Sequence, residues 1–339
     1  MYRAWAPFLK AEKMRFHNRL IALLAFAVVP MLAVAQAYPQ TFPSKPVRLI
    51  VPFPAGGPAD IFGRFLAQGM SAQLGQPVVI ENVSGVGGVL GVERAARSAP
   101  DGYTLVLNSS SAVSIAPFSM AKMPYDPFKD LALITTVVRV PEVLAVNPAL
   151  PVNTLAELVA HAKASPGKIN FGSAGSGTIT HLAGELLKVE AGINLIHIPY
   201  KGAAPAVNDL LGGQVQMGVF DVPILLPHIR AGKLKALVIT SGRRAATLPD
   251  VPTTAEAGYP KVLSDNWYGL AGPAGIPQVV FKRIHAAAVA ALNSPELNEQ
   301  YGKVSGVSMP SSPEEYAVYL AQEQRKWGAV VKAIGFKAE

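Results

Sequence analysis

The sequence predicts an α/β protein in which helices cover both faces of parallel or mostly parallel sheets. Three observations carry this. Apolar, β-branched runs recur along the chain, and most are followed by helical periodicity. The connections between them are short and draw on 30 Gly and 29 Pro residues. Runs such as LIVPF (49–53) and ALVIT (236–240) are apolar almost throughout, as strands buried on both faces are.

The first strand, VRLIVPF (47–53), leads into AGGPADIFGRFLAQGM (55–70). There Phe62, Phe65, Leu66 and Met70 repeat at i, i+3, i+4 and i+8, one face of a helix. PVVIEN (77–82) is the next strand, followed by a glycine loop and a helix over 89–98. The turn Asp101-Gly102 opens YTLVLN (103–108). After a serine-rich loop, LALITTVV (131–138) and EVLAVNP (142–148) read as two strands. TLAELVAHAKA (154–164) is helical and stops at Pro166-Gly167; KINFG (168–172), a second glycine-serine loop and another helix follow. INLIHIPY (193–200) is a strand, and APAVNDLLGG (204–213) a helix with a glycine stop. The strand VQMGVFD (215–221), the helix PILLPHIRAG (223–232) and the strand LKALVIT (234–240) complete the alternation. Two helices, over 278–292 and 313–334, close the chain. Two sheets suit 339 residues better than one, and no fixed-period repeat is present.

The N-terminus stands apart. Arg3, Lys10, Lys13, Arg15 and Arg19 precede the apolar run LIALLAFAVVPMLAVA (20–35), which exits through Ala33-Val34-Ala35. That layout is a secretory signal peptide over residues 1–37, with Met14 as a second possible start. The run is short for a membrane span and Pro30 interrupts it, so an uncleaved anchor is the weaker alternative. The expected compartment is therefore the periplasm. Removing five basic residues and one acidic one leaves 25 Lys/Arg against 21 Asp/Glu, a net charge of +4. That balance, without a basic cluster, argues against nucleic-acid binding. With no cysteine, the chain has no disulfide, thiol nucleophile or lipidated Cys.

Four loops stand where strands end and helices begin, the edge at which open α/β sheets bind ligands: FPAGGPAD (53–60), ENVSGVGG (81–88), NSSSAVS (108–114) and GSAGSGT (172–178). The second misses the dinucleotide fingerprint, because Leu90 holds the third glycine position. GSAGSGT lacks the Lys of a phosphate loop, and no G-x-S-x-G elbow offers a hydrolase nucleophile. The histidines show no zinc spacing, so no cofactor or metal is expected. What remains is an anion seat built from backbone. A helix start exposes free N–H groups at the positive end of the dipole, Gly175 and Gly177 permit close approach, and Ser173, Ser176 and Thr178 add hydroxyls. AGGPAD repeats the arrangement, and two such seats suit one carboxylate held between them. His181, one turn into its helix, reads equally as a packing residue or a ligand contact.

VPFPAGGPAD, VVIENVSGVGG, APDGYTLVL, GSAGSGTITHLAGELL, HIPYKGAAPAVNDLLGGQVQMGVFD, IRAGKLKALVIT and LPDVPTTAEAG occur in this order. From residue 42 onward the chain closely resembles the Bug-type receptors, the extracytoplasmic substrate-binding proteins of tripartite tricarboxylate transporters. The resemblance implies a two-lobed type II periplasmic binding protein fold that closes on a small carboxylate: a dicarboxylate, or an aromatic or apolar acid. Lobe one would comprise 41–139 and 266–339, lobe two 140–265, with the hinge at the two crossings. It implies a monomeric, non-enzymatic receptor that serves integral membrane subunits of the transporter; docking onto a sensor kinase is the alternative. Carried over by residue, the site would draw on Phe53, Ala55, Gly56, Gly57 and Asp60 of the first loop and Ser109, Ser110 and Ser111 of the second. Ser173, Gly175, Ser176, Thr178 and His181 would face them, with Tyr200 and Asp221 at strand ends. Asp221 could bind a ligand amine or hydroxyl or simply cap a helix. Ser84 and Val86 depart from the family's N-x-P-G-A-G-G run, a change that could reshape the pocket floor. Phe53 and Phe220 near the rim would favour an aromatic or apolar acid, unless both are core.

Overall fold

The computed structural model describes residues 42–338, and the chain from Lys45 onward forms one compact unit. The predicted signal peptide lies outside the described residues. Among them, no helix is long and apolar enough to cross a membrane.

The unit is built on ten strands: β1 (Val47–Val51), β2 (Val78–Asn82), β3 (Thr104–Ser109), β4 (Leu131–Val146), β5 (Asn170–Ser173), β6 (Ile196–Pro199), β7 (Met217–Asp221), β8 (Lys235–Ile239), β9 (Asp265–Pro273) and β10 (Val307–Ser308). Their order is β2-β1-β3-β9-β4-β7-β5-β6, with β8 and β10 also on β4. The outer sets β2-β1-β3 and β7-β5-β6 are parallel, as expected. The centre is antiparallel: β9 runs against β3 and β4, and β4 against β7 and β8.

Two departures from the sequence reading share one cause. The strands read at 131–138 and 142–148 are a single strand, β4, which joins both parallel sets into one curled sheet. Its first part pairs with β9 as far as Pro141, opposite Asp265; from Glu142 onward it pairs with β7. Proline donates no ladder hydrogen bond, so its place at the change of partner is where a strand can carry it. The chain returns along β9, beside β4 and opposite in direction, which makes the centre antiparallel. β9 itself escaped the pattern because Gly269, Gly272 and Pro273 interrupt it. Gly269 is required there: a Cβ would lie 2.0 Å from the Tyr316 hydroxyl, which donates to Asn108 Oδ1 at 2.6 Å.

Among the described residues ten α-helices flank the sheet: α1 (Pro58–Leu74), α2 (Val89–Ala96), α3 (Ala116–Ser119), α4 (Leu155–Ala164), α5 (Ile179–Ala191), α6 (Ala203–Leu211), α7 (Val222–Arg230), α8 (Gln278–Leu292), α9 (Pro295–Gly302) and α10 (Pro313–Ile334). Their ends follow local chemistry. α1 starts at Pro58 and stops at Gly75 in the left-handed region. α10 opens on a capping box of Ser312 and Glu315. α1 buries Phe62, Leu66 and Met70; α10 buries Tyr316, Leu320, Trp327 and Val331. Trp327 and Val331 also pack with Ile115, Ile179 and Leu182, tying α10 to the start of α5. Burying a side chain of this size contributes about 1.5–3 kcal/mol, enough to fix where a helix tip points.

Candidate functional site

Three helix starts converge on one small cavity: Gly57 to Ala59 at α1, Thr178 to Thr180 at α5, and Ala203 and Ala204 at α6. None of the three has a side-chain cap, whereas Thr154, Ser294 and Ser312 cap α4, α9 and α10. First-turn amides have no acceptor within their own helix. Pro58 and Pro205 donate nothing, so Ala59, Ala203 and Ala204 supply the donors at α1 and α6. The small residues matter as much as the dipoles, because alanine leaves the amide open to the cavity. The third tip comes close only because residue 202 is glycine. Its φ is +126°, and a Cβ would lie 2.8 Å from Pro54 Cγ.

At α5 the arrangement is partly closed from across the cavity. The Ile179 amide donates to Ser111 Oγ at 3.1 Å, which leaves the Ser111 proton for another acceptor. Thr178 is turned inward: its hydroxyl donates to the Gly175 carbonyl at 2.6 Å and pairs with Thr180 Oγ1 at 2.9 Å.

The lining also holds an acceptor. Asp221, 2% exposed, ends β7 and is held by neighbours on β9. Asn266 Nδ2 donates to both of its oxygens, at 3.1 and 2.9 Å, and the Tyr268 hydroxyl donates to Oδ2 at 2.8 Å. Ser110 and the Trp267 amide in turn donate to Asn266 Oδ1, fixing the amide's orientation. Burial pushes the Asp221 carboxyl up to about 7, although the bonds from Tyr268 and Asn266 pull it down. Opposite Asp221 on β4 stands Glu142, fully buried and raised well above its ordinary range by burial and by the Asp221 and Asp265 carboxyls.

Of the residues expected from sequence, Phe53, Gly57, Ser111, Thr178 and Asp221 line this cavity. Gly175, Ser176 and Tyr200 line instead an open outer cavity of about 730 Å³, which Phe53, Ser84 and Val86 also border. The Tyr200 hydroxyl donates to Asp209 at 2.6 Å, and burial with that bond raises its pKa to about 12. Asp60 braces its own loop, accepting from the Gly56 amide, Arg64 and Asn82; these bonds outweigh burial and hold its carboxyl below the ordinary value. Ala55 and Gly56 are exposed. Ser109 is buried under its own turn, and Ser110 supports Asn266. Ser173 pairs with His197 Nε2 at 2.6 Å. His181 accepts from the Gly177 amide at 3.2 Å and stacks on His197 at 3.8 Å, a packing arrangement. Phe220 is core. Asn266, Tyr268, Thr180, Ala203 and Ala204 were missed. KGAAP after the strand 193–200 repeats the grammar of AGGPAD and could have flagged the alanines; nothing in the local pattern singles out Asn266 or Tyr268.

The family described as tripartite tricarboxylate transporter family receptor, TctC, matches residues 62–336. The protein BugT of Bordetella pertussis is 38% identical over 321 residues, covering 94% of this chain and 98% of that protein. The structure of the periplasmic binding protein BugD superposes with a TM-score of 0.85 at 36% identity, covering 88% of this chain and all of that one. MatC of Rhodopseudomonas palustris with bound malate superposes with a TM-score of 0.81 at 31% identity, covering 86% of this chain and all of that one.

Proposed function

We propose, for a chain that belongs to the tripartite tricarboxylate transporter receptor family, that it captures a small carboxylate in the cavity between the three helix starts and delivers it to the membrane subunits of such a transporter. The family is one of substrate-binding receptors rather than enzymes, and its relatives are periplasmic binding proteins. The carrying observation is the cavity itself: three uncapped, positively polarised helix tips on one small space without a Lys or Arg in its lining. The malate bound by MatC supports a carboxylate as the occupant.

In this reading the lobes are 41–139 with 266–339, and 140–265. The crossings are β4 at Val140–Glu142 and the start of β9. Ligand contacts to the α1 tip and to the α5 and α6 tips stabilise the closed arrangement, and the shift equals the ligand's preference for it. The receptor acts as a periplasmic monomer that offers its closed form to the carrier.

A thermal-shift and calorimetric screen of the purified protein against small carboxylates tests this. An occupant at 100 times its dissociation constant stabilises by about 2.7 kcal/mol. Ala204→Asp places a like charge at the α6 tip, where it favours the helix but repels the ligand. Affinity should fall by about tenfold or more, a loss of about 1.4 kcal/mol. A screen without any carboxylate binder, or an Ala204→Asp protein with unchanged affinity, overturns the assignment.

A further inference from the structure

Two kinds of polar group line the cavity. The helix tips present amide donors, and Asp221 presents an acceptor, to which its Asn266 and Tyr268 neighbours both donate. A carboxylate offers about four lone-pair sites. Oδ2 takes two donors and Oδ1 takes one, so Oδ1 keeps an acceptor position. A buried acceptor left unmade costs about 1–3 kcal/mol, and a second carboxylate beside it would be repelled.

We propose that Asp221 determines specificity: the ligand carries one carboxylate and a hydrogen-bond donor, as small hydroxy acids and amino acids do, while a second ionised carboxylate is excluded. This rests on the carboxylate reading above and narrows it. The ligand carboxylate sits against the Ala59, Ala203 and Ala204 amides, and its hydroxyl or ammonium donates to Asp221 Oδ1.

Protonation inverts the preference. The groups facing Asp221 and its neighbour are Glu142 on β4, Asp265 and Tyr268 on β9 and, from α10, Lys326. Burial sets the Asp221 carboxyl to titrate near 7, so an acidic medium turns it into a donor that tolerates a second carboxylate.

The test is calorimetry with matched acids of three to six carbons: the plain monocarboxylate, its 2-hydroxy and 2-amino counterparts, and the dicarboxylate. At pH 8 a donor-bearing acid should bind about tenfold or more tighter than its plain and dicarboxylate counterparts. Asp221→Ala should erase that ranking. The isosteric Asp221→Asn, a safeguard should the alanine variant not fold, should keep the hydroxyl preference but lose the ammonium preference. Lowering the pH to 6 should strengthen dicarboxylate binding to the unaltered protein and leave Asp221→Asn unmoved. Plain acids or dicarboxylates binding as tightly at pH 8, or a ranking that survives Asp221→Ala, overturns this inference alone. If no acid of the series binds, the carboxylate reading falls with it.

Discussion

Val86 holds φ +49° and is 62% exposed, so a β-branched side chain sits in the left-handed region with little burial in return. Such a residue stores about 1–3 kcal/mol of strain. Asn tolerates this conformation without the added freedom Gly brings to the unfolded chain. Val86→Asn should therefore raise stability by about 1 kcal/mol in urea melts; an unchanged or lower midpoint would show that the loop is relaxed as it stands. At this scale the sequence was legible where a strand end meets a helix start: Phe53, Gly57, Ser111, Thr178 and Asp221 line one cavity. It was illegible where a partner comes from elsewhere in the chain. His181 is a packing residue because His197 lies against it, and Asp60 is a brace because Arg64 and Asn82 claim its oxygens. Asn266 and Tyr268 join the site through β9, a strand whose glycines hide it.

The element that organises the molecule is the pair β4 and β9, and it carries buried acids. Glu142 Oε2 accepts from Ser264, while Oε1 has no partner; Asp221 lies opposite on β7, and Asp265 accepts from Ser241. Asp221 and Glu142 both have folded pKa values above their ordinary ones, so the folded state holds more protons than the unfolded chain. Their contribution is fully present below the unfolded pKa, near 4, and is lost as pH rises through the folded values. For Asp221 that loss extends to about 7, and Glu142 acts in the same sense. His197 works in the opposite sense, because burial and the neighbouring His181 lower it to about 3; its contribution is complete above pH 6.5 and is lost on acidification. Above pH 6.5 the acids thus act alone. Urea melts of the ligand-free protein should show stability falling from pH 6.5 to 8.5, and Asp221→Asn should flatten the fall. An equal slope in both proteins would mean that Asp221 is already ionised. The outer parallel sets and the long helices were readable from periodicity. The crossing was not, because Pro141 looks like a strand end until β9 and β7 are seen to share β4 between them.

At the scale of the whole molecule, several contacts join the proposed lobes. Ser111 meets Ile179 across the cavity, Thr247 and Ser305 pair at 2.7 Å, and the C-terminal tail reaches from one side to the other. After α10 ends at Gly335, the Ala338 amide donates to the Ser119 carbonyl at 2.8 Å, which pins the tail to its own lobe. Between these two points the Phe336 ring stands edge-on to His181, 4.8 Å between centroids, and it approaches Gly177 just before α5. In the proposed lobe scheme the tail is a strap, with Phe336 packed beside the start of α5. An aromatic pair of this kind contributes about 0.5–1.5 kcal/mol. Phe336→Ala should therefore reduce the closed fraction of the ligand-free protein by about fivefold, weakening apparent affinity by the same factor, because only the competent fraction binds. Small-angle scattering should show a larger radius of gyration for the ligand-free variant than for the unaltered protein, and equal radii once both are saturated. Because Phe336 lies outside the cavity lining, a loss of affinity without expansion would point to a distorted α5 tip. Unchanged scattering together with unchanged affinity would remove the tail from the closing mechanism.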